Sequence, residues 1–547
     1  MEAWDVVVVG GGHAALRAAI AASESGASTT LLSLDGTGNH SGQDTSGIAS
    51  SLSETSSRGH RDDTIRAGSF LSDQDIVSSR TASASRHVAE LERWGVNFRR
   101  SSEGLPLTRT MPGHGMPRVS SCGDTTDAEI QRVLEEQCTK RGIQRRGDVL
   151  LLDIISTENK IHGIVVLDLC SGNVAAIQCK SLIIADGGFE GAWNSTSSGG
   201  RGMDLAMKSG VHLRDMEFQS WTPFGIPDSE INLPLGLIAE GALVHGPGGE
   251  VGPDSDTPHS IAALMAKDES GWSIDITNLD AEASTWFSST ISNTNVRLGL
   301  DPKTEPMPIE PRVDHTLGGI PVDIDGRAVV GDWQTVFSGL YAAGGAASSG
   351  LHGAGVAAGN RLLDDIAGGT AAGAHAARFA ATKKFSGSDK ISEALEETIT
   401  SLDNVLLSES DGKKQISLSE ARSSLAKILS NHMHLSRNKS SLKTAADELE
   451  SLAEETNNLR LDHNDSLLMN HNLVENLCMK SMIDVAMASV VAAMEREESR
   501  GTHVREDHEE RDDKGFLKHS LVDSNGSVEW LPIRKSNSGS WLLSPDA

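Results

Sequence analysis

Basic residues, aromatics and cysteines are all scarce in this chain of 547 residues. Lys and Arg number 48 against 76 Asp and Glu, a formal net charge of −28. A surface this acidic repels a nucleic-acid backbone and an anionic membrane, which excludes both as the main partner. It also means that an anionic substrate would have to be met by a local cationic pocket. The chain has one Tyr and ten Phe, yet hydrophobic residues make up 38% and charged residues 23%. That is an ordinary globular composition, long enough for three or four domains of roughly 150 residues. The five cysteines, Cys122, Cys138, Cys170, Cys179 and Cys478, form no C-x-x-C pair. Reduced, mostly buried thiols are expected, with no disulfide framework and no cysteine-ligated iron–sulfur cluster within the chain. No uninterrupted apolar run approaches the ~18 residues of a membrane span. The N-terminus enters an apolar strand directly, without the basic start and cleavage site of a signal peptide. These absences predict a cytoplasmic protein that meets a membrane only through other subunits.

What is present begins at once. Residues 4–9, Trp-Asp-Val-Val-Val-Val, are short, continuous and β-branched, as a buried parallel strand is. Gly10-Gly11-Gly12-His13-Ala14-Ala15 follows, then a small-residue helical stretch from Leu16 to Ser25, then a second strand at Thr29–Ser33. This is a βαβ unit with G-x-G-x-x-A at its first turn. Gly10 permits the tight turn, Gly12 lets a pyrophosphate approach the backbone, and Ala15 allows close helix–strand packing. The free N–H groups at the helix start then face the phosphates. Ser33 stands where an acidic ribose ligand is common, with Asp35 as the nearest carboxylate.

Residues 36–56, rich in Gly, Ser and Thr, read as loop, and 126–140 as a helix. Strands are predicted at 149–155, 161–169 and 175–184, the last running into Ala185-Asp186-Gly187-Gly188. A second glycine-rich stretch covers 339–373. Between Gly412 and Gly501 there is no glycine, and 391–498 reads as a bundle of antiparallel helices.

Taken in order, these segments resemble the flavoprotein subunit of the succinate dehydrogenase/fumarate reductase family and its aspartate-oxidase relatives. The resemblance is carried by the nucleotide turn at 6–19, by Asn39-His40-Ser41 with Gly47–Leu52, and by Asp215-Met216-Glu217-Phe218. It continues through His315–Ile320, Gly339–Gly344, His352-Gly353-Ala354 and Gly359–Asp364. The most specific block is Glu498–Asp507 with Arg511-Asp512-Asp513. The resemblance implies an α/β fold: a doubly wound Rossmann-type FAD domain (1–230 and 320–385) with an inserted α+β capping domain (231–319). A helical domain (386–498) and a C-terminal module (499–547) follow.

It further implies FAD, covalently attached through a histidine that falls on His40. Cofactor contacts fall on Gly10, Gly11, Gly12, Ala14, Ala15, Ser33, Ser41, Gly47, Ala185, Gly187, Gly344, Asn360, Arg361 and Leu362. The implied partners are a small organic acid, a separate iron–sulfur subunit and membrane-anchor subunits. The family's substrate histidines and arginines, however, fall on Thr222, Ala263, Asp314 and Val356, and no arginine occurs between Arg214 and Arg297. The groups left for catalysis are His315, Glu240 and Arg312, and for substrate His352 and Thr316. An Asp at 314 would repel a dianion held in the family's pose. Three readings follow: a dehydrogenase of dicarboxylate type, a related FAD enzyme with another acid, or a non-catalytic flavoprotein paralogue. Arg361, a cation where the family has Ser, would stabilise a reduced anionic flavin.

Overall fold

The computed structural model describes residues 2–35, 47–51, 54–193, 199–247, 249–251, 257–267, 271–406, 416–457 and 466–545. The central sheet starts from β1 (Glu2–Val9), whose last four valines are buried, and continues through helix α1 (His13–Glu24) into β2 (Thr29–Leu32). These pair in parallel, Val6 to Val9 facing Thr29 to Leu32. Beyond them lie α2 (Gln74–Trp94), α3 (Thr126–Lys140) and β3 (Gln144–Arg146), which extends β2 in parallel. Three long strands follow, β4 (Val149–Thr157), β5 (Lys160–Asp168) and β6 (Asn173–Ile184). They form an antiparallel meander that joins the sheet where β6 lies parallel to β1.

Next come β7 (Gln219–Gly225), helix α4 (Pro258–Ala266) and β8 (Glu310–Thr316), then β9 (Arg327–Val329) and β10 (Val336–Ala342). The sheet order is β9-β10-β5-β6-β1-β2-β3, with β10 also parallel to β6 and β4 on β5. Helix α5 (Asn360–Ala381) lies against α1. The closeness of that pair is set by small residues: a Cβ on Gly373 would run into the carbonyl of Ala18. Any larger residue there would push the two helices apart.

The region after α5 divides in two. Helix α6 (Ser388–Leu406) lies on β4, β5 and β6 and places Ile391 and Leu402 in a core with Leu150, Leu152 and Val165. Helices α7 (Leu418–His432), α8 (Lys439–Thr456) and α9 (His471–Glu495) pack on one another. The helical pattern therefore does not form one bundle, because the apolar face of α6 is matched to the meander instead.

Helix α9, with a mean hydropathy of 1.6, is long and apolar enough to cross a membrane by length and composition, and 61% of its apolar window is buried inside the protein. Counting uninterrupted runs missed it because Lys480 and Asp484 break the run. At the C-terminus β11 (Lys518–Val522) and β12 (Val528–Pro532) form a hairpin. A buried charge network ties the segments together. Arg496 bonds Glu217 Oε1 at 2.5 Å and Glu498 Oε1 at 3.0 Å, and Arg500 holds Glu498 and Asp513. Glu498, Arg500 and Asp513 belong to the Glu498–Asp513 block, and the three carboxylates of the network, Glu217, Glu498 and Asp513, each have a guanidinium partner, as burial of charge requires.

Candidate active site

The carboxyl ends of β1 and β6 open into a cleft of about 1120 Å³. Its floor is the turn at 10–12. Gly10 has φ 131°, and a Cβ there would strike the carbonyl of Ala185, the residue that leaves β6. Gly12 faces open space, with nothing within 4 Å of a Cβ built on it, and it precedes α1 with no side chain capping the helix. Free N–H groups therefore point into an empty concavity of the right polarity for an anion. Ser33 and Asp35 line the same cleft, and the Ser33 hydroxyl donates to the Asp35 carbonyl at 2.5 Å. Leu150 and Leu151 of β4 add apolar wall, and Gly187, Gly344, His315 and Arg361 close the far end.

Several lining residues were not singled out from sequence. Asp186 accepts from the Gly202 N–H at 2.8 Å, its other oxygen lacks a partner, and burial pushes its carboxyl up to about 6. His13 lies under the first turn of α1. Burial opposes its charge, but Asp365 and Asp127 overcome that and hold its pKa above the ordinary value. Arg201 reaches into the cleft while donating to the carbonyls of Leu151 and Leu152. In sequence Asp186 and His13 were turn and helix residues with no spacing signal, whereas Arg201 stands where the family resemblance puts the Asp of Gly-Asp-Gly, a flavin contact.

A second pocket, of about 580 Å³, adjoins the first and shares His315 and Arg361 with it. It is built on the antiparallel β7–β8 ribbon, where Ser220 faces His315. Thr222, Asp314 and Val356 all line it, so three of the four replaced positions converge in space. Ala263 does not line it. The residue of α4 that does is Pro258, at the helix start, where Thr257 caps the Ser260 N–H.

Asp314 Oδ2 accepts from His315 Nδ1 at 2.7 Å, and Asp314 Oδ1 lies 3.4 Å from an Arg361 nitrogen. Burial raises the Asp314 pKa, and His315 and Arg361 together bring it below the ordinary value. Burial also lowers that of His315, Asp314 opposes this, and with Arg361 and His352 acting in the same direction as burial it ends below the ordinary value. His315 is therefore neutral near pH 7, with its proton on Nδ1 and its buried Nε2 unpartnered. A neutral imidazole fixed in that way can take up or return a proton at Nε2.

The other predicted groups are distributed more widely. The His352 ring lies 6.1 Å from His315, with Nε2 3.4 Å from Asp364. Thr316 donates to Glu190 at 3.0 Å and accepts from the Phe189 N–H. Glu240 is clamped by Arg99 at 2.7 Å and Arg109 at 3.0 Å, and Arg312 is occupied by the carbonyls of Ser229 and Ile226. Neither Glu240 nor Arg312 lines either cavity. Asn360 accepts from His60 and donates to Thr64, Leu362 and Ala15 are core, and Gly47 abuts the Ser120 carbonyl. Gly11, Ala14 and Ala185 line the cleft. His40 and Ser41 lie outside the described residues.

Comparison with known proteins agrees with this geometry. Residues 5–362 match the FAD binding domain family, and residues 422–539 match the fumarate reductase flavoprotein C-terminal family. A fumarate reductase flavoprotein subunit from Haemophilus influenzae is 28% identical, covering 98% of this chain and 95% of its own. A succinate dehydrogenase flavoprotein subunit from Rickettsia bellii is 29% identical, covering 97% and 95%. Among solved structures, an E. coli quinol fumarate reductase FrdA carrying a point mutation superposes with a TM-score of 0.91 at 25% identity, covering 100% of this chain and 98% of that one.

Proposed function

The chain belongs to the FAD binding domain family, as a flavoprotein subunit of the succinate dehydrogenase/fumarate reductase type, and from that premise we propose how its two cavities divide the work. The larger cleft holds FAD. The adjoining pocket holds a small organic acid, with dicarboxylates the first class to try, and electrons pass between the acid and a separate iron–sulfur subunit. The single observation that carries this reading is the meeting of the two cavities at His315 and Arg361. A cofactor and an acid lying on either side of that seam are within reach of each other.

Bound FAD supplies the redox chemistry, accepting or returning a hydride and passing electrons on. The chain's own residues do the rest. Gly10, Gly12 and the start of α1 receive the pyrophosphate. Ser33 and Asp35 lie where the adenosine ribose would be held. Arg361 places a positive charge at the seam, and His315 Nε2 moves the proton that accompanies the hydride. Asp314 holds the imidazole in the tautomer that makes this possible. Anchor subunits would bring the assembly to the cytoplasmic face of a membrane.

The test is a visible spectrum of the purified protein before and after acid precipitation, followed by anaerobic addition of succinate to the oxidised form and fumarate to the reduced form. One FAD per chain and a flavin that responds to carboxylic acids are expected. Flavin that stays with the pellet would show a covalent link and support attachment at His40. A chain that purifies without FAD and takes up none when it is added would sink the reading.

A further inference from the structure

We infer that the pocket beside the flavin cleft is a site for an acid with a single carboxylate and an apolar body, and that it turns dianions away. This rests on the reading above, that the adjoining cleft holds FAD and the pocket holds the acid. The argument is one of charge. Among the described residues that line the pocket, Arg361 is the only cation and Asp314 the only carboxylate. The guanidinium meets Asp314 through one nitrogen, at 3.4 Å, and the nearby carboxylates of Asp365 and Glu190 also bear on it. One edge of its fork of donors is left for a ligand carboxylate.

Among the described residues no second cation lines the pocket. Arg312 is occupied by backbone carbonyls and Glu310, and Arg99 and Arg109 by Glu240. The rest of the wall carries no charge: Leu233, Leu235, Val356 and Pro258 are apolar, Ser220, Thr222 and Asn232 are neutral polar groups, and the buried Trp221 indole N–H has no partner. A second carboxylate would rest either against that wall, stripped of water with neutral donors but no counter-charge, or within reach of Asp314. Burial of an unpaired charge opposes the first, and like-charge repulsion the second. A methyl or phenyl group in the same place meets neither penalty.

The experiment compares acids that differ at that one position. The FAD-loaded protein is titrated with fumarate, with crotonate, in which a methyl replaces one carboxylate, and with trans-cinnamate, in which a phenyl does. Binding is read from the flavin difference spectrum and from the rise in melting temperature. Crotonate and cinnamate are expected to bind at least about tenfold more tightly than fumarate. Arg361→Gln should remove most of the crotonate response, and Asp314→Asn should narrow the gap by strengthening fumarate. Fumarate binding as tightly as crotonate and cinnamate would overturn the inference, and so would failure of both mono-acids to bind. A loaded protein that prefers fumarate leaves the flavoprotein reading intact and removes only this one. If no flavin is bound, that reading fails by itself, and the melting temperature still reports how the three acids bind.

Discussion

The two ends of the site are built from different materials. The nucleotide end is made of backbone: a turn whose Gly10 cannot carry a side chain, a Gly12 that faces open space, and the first N–H groups of α1. The acid end is made of side chains, Thr222, Asp314, His315, Val356 and Arg361, projecting from a ribbon, a loop and the start of α5. A backbone cradle is fixed by where glycine is tolerated and survives extensive replacement elsewhere. A side-chain pocket can be rewritten at every position without disturbing the fold that carries it. The nucleotide end keeps the glycine pattern of a dinucleotide turn, whereas the acid end carries a charge pattern set by its side chains.

The sharpest way to break this contrast is at Gly10. Gly10→Val would drive a branched side chain into the Ala185 carbonyl at a backbone angle that disfavours it. A loss of about 3 kcal/mol is expected, with no FAD retained. An unchanged urea midpoint would show that the turn is not the rigid element described. Gly12→Val separates binding from folding. Its side chain enters open space, so unfolding of the FAD-free protein should shift by less than about 0.5 kcal/mol. FAD affinity should fall at least about a hundredfold. If FAD content holds, the pyrophosphate does not lie there.

The histidines give the two ends opposite responses to pH. His259 and His114 flank the acid end, where the Gly355 Cβ position meets the His259 ring and His114 reaches the Ala358 carbonyl. Burial lowers both to about 4. Below the ordinary histidine pKa of about 6.5 the unfolded chain binds protons that the folded one refuses. Stability is then lost as pH falls from there towards 4, by up to about 1.4 kcal/mol per unit for each group. His13, at the nucleotide end, is raised, so its contribution is present in acid and is lost as pH rises through its folded value. His259→Asn should flatten the acid limb of stability against pH, and His13→Asn the limb that begins at the ordinary histidine pKa of about 6.5 and runs upward. Identical profiles for either variant and the parent would remove the assignment. The smallest effect is expected from Asp314→Asn, which leaves FAD content unchanged while fumarate affinity rises about tenfold. A loss of FAD instead would mean that the two ends are not separable.

The parts of the fold legible in the sequence were those set by local pattern. The valines of β1, the G-x-G-x-x-A turn and the three strands of the meander all lie close to their expected positions, because β-branched runs and glycine turns encode them directly. Ala185 was legible for the same reason. The pocket was only partly legible. That Thr222, Asp314 and Val356 share one pocket follows from the pairing of β7 with β8 and from the loop before α5, about 40 residues further along the chain. Which residue of α4 would face the pocket was not legible: Pro258 lines it and Ala263 does not, and that follows from how the helix docks on β7. The splitting of α6 from α7–α9 had no sequence signal, since an amphipathic helix does not state which apolar surface it will cover.

By itself the sequence determined the chain's acidity, its dinucleotide turn and the absence of arginine from 215 to 296. These depend on residue identity and on neighbours within one or two turns of chain. Only the tertiary structure decided which charges are available. Arg312, Arg99 and Arg109 are cations in any reading of the sequence, but folding places a carbonyl or a carboxylate against each. Arg361 is left facing the seam between the cavities, because a guanidinium's partners are set by what the fold brings within about 3 Å of it, not by its place in the chain.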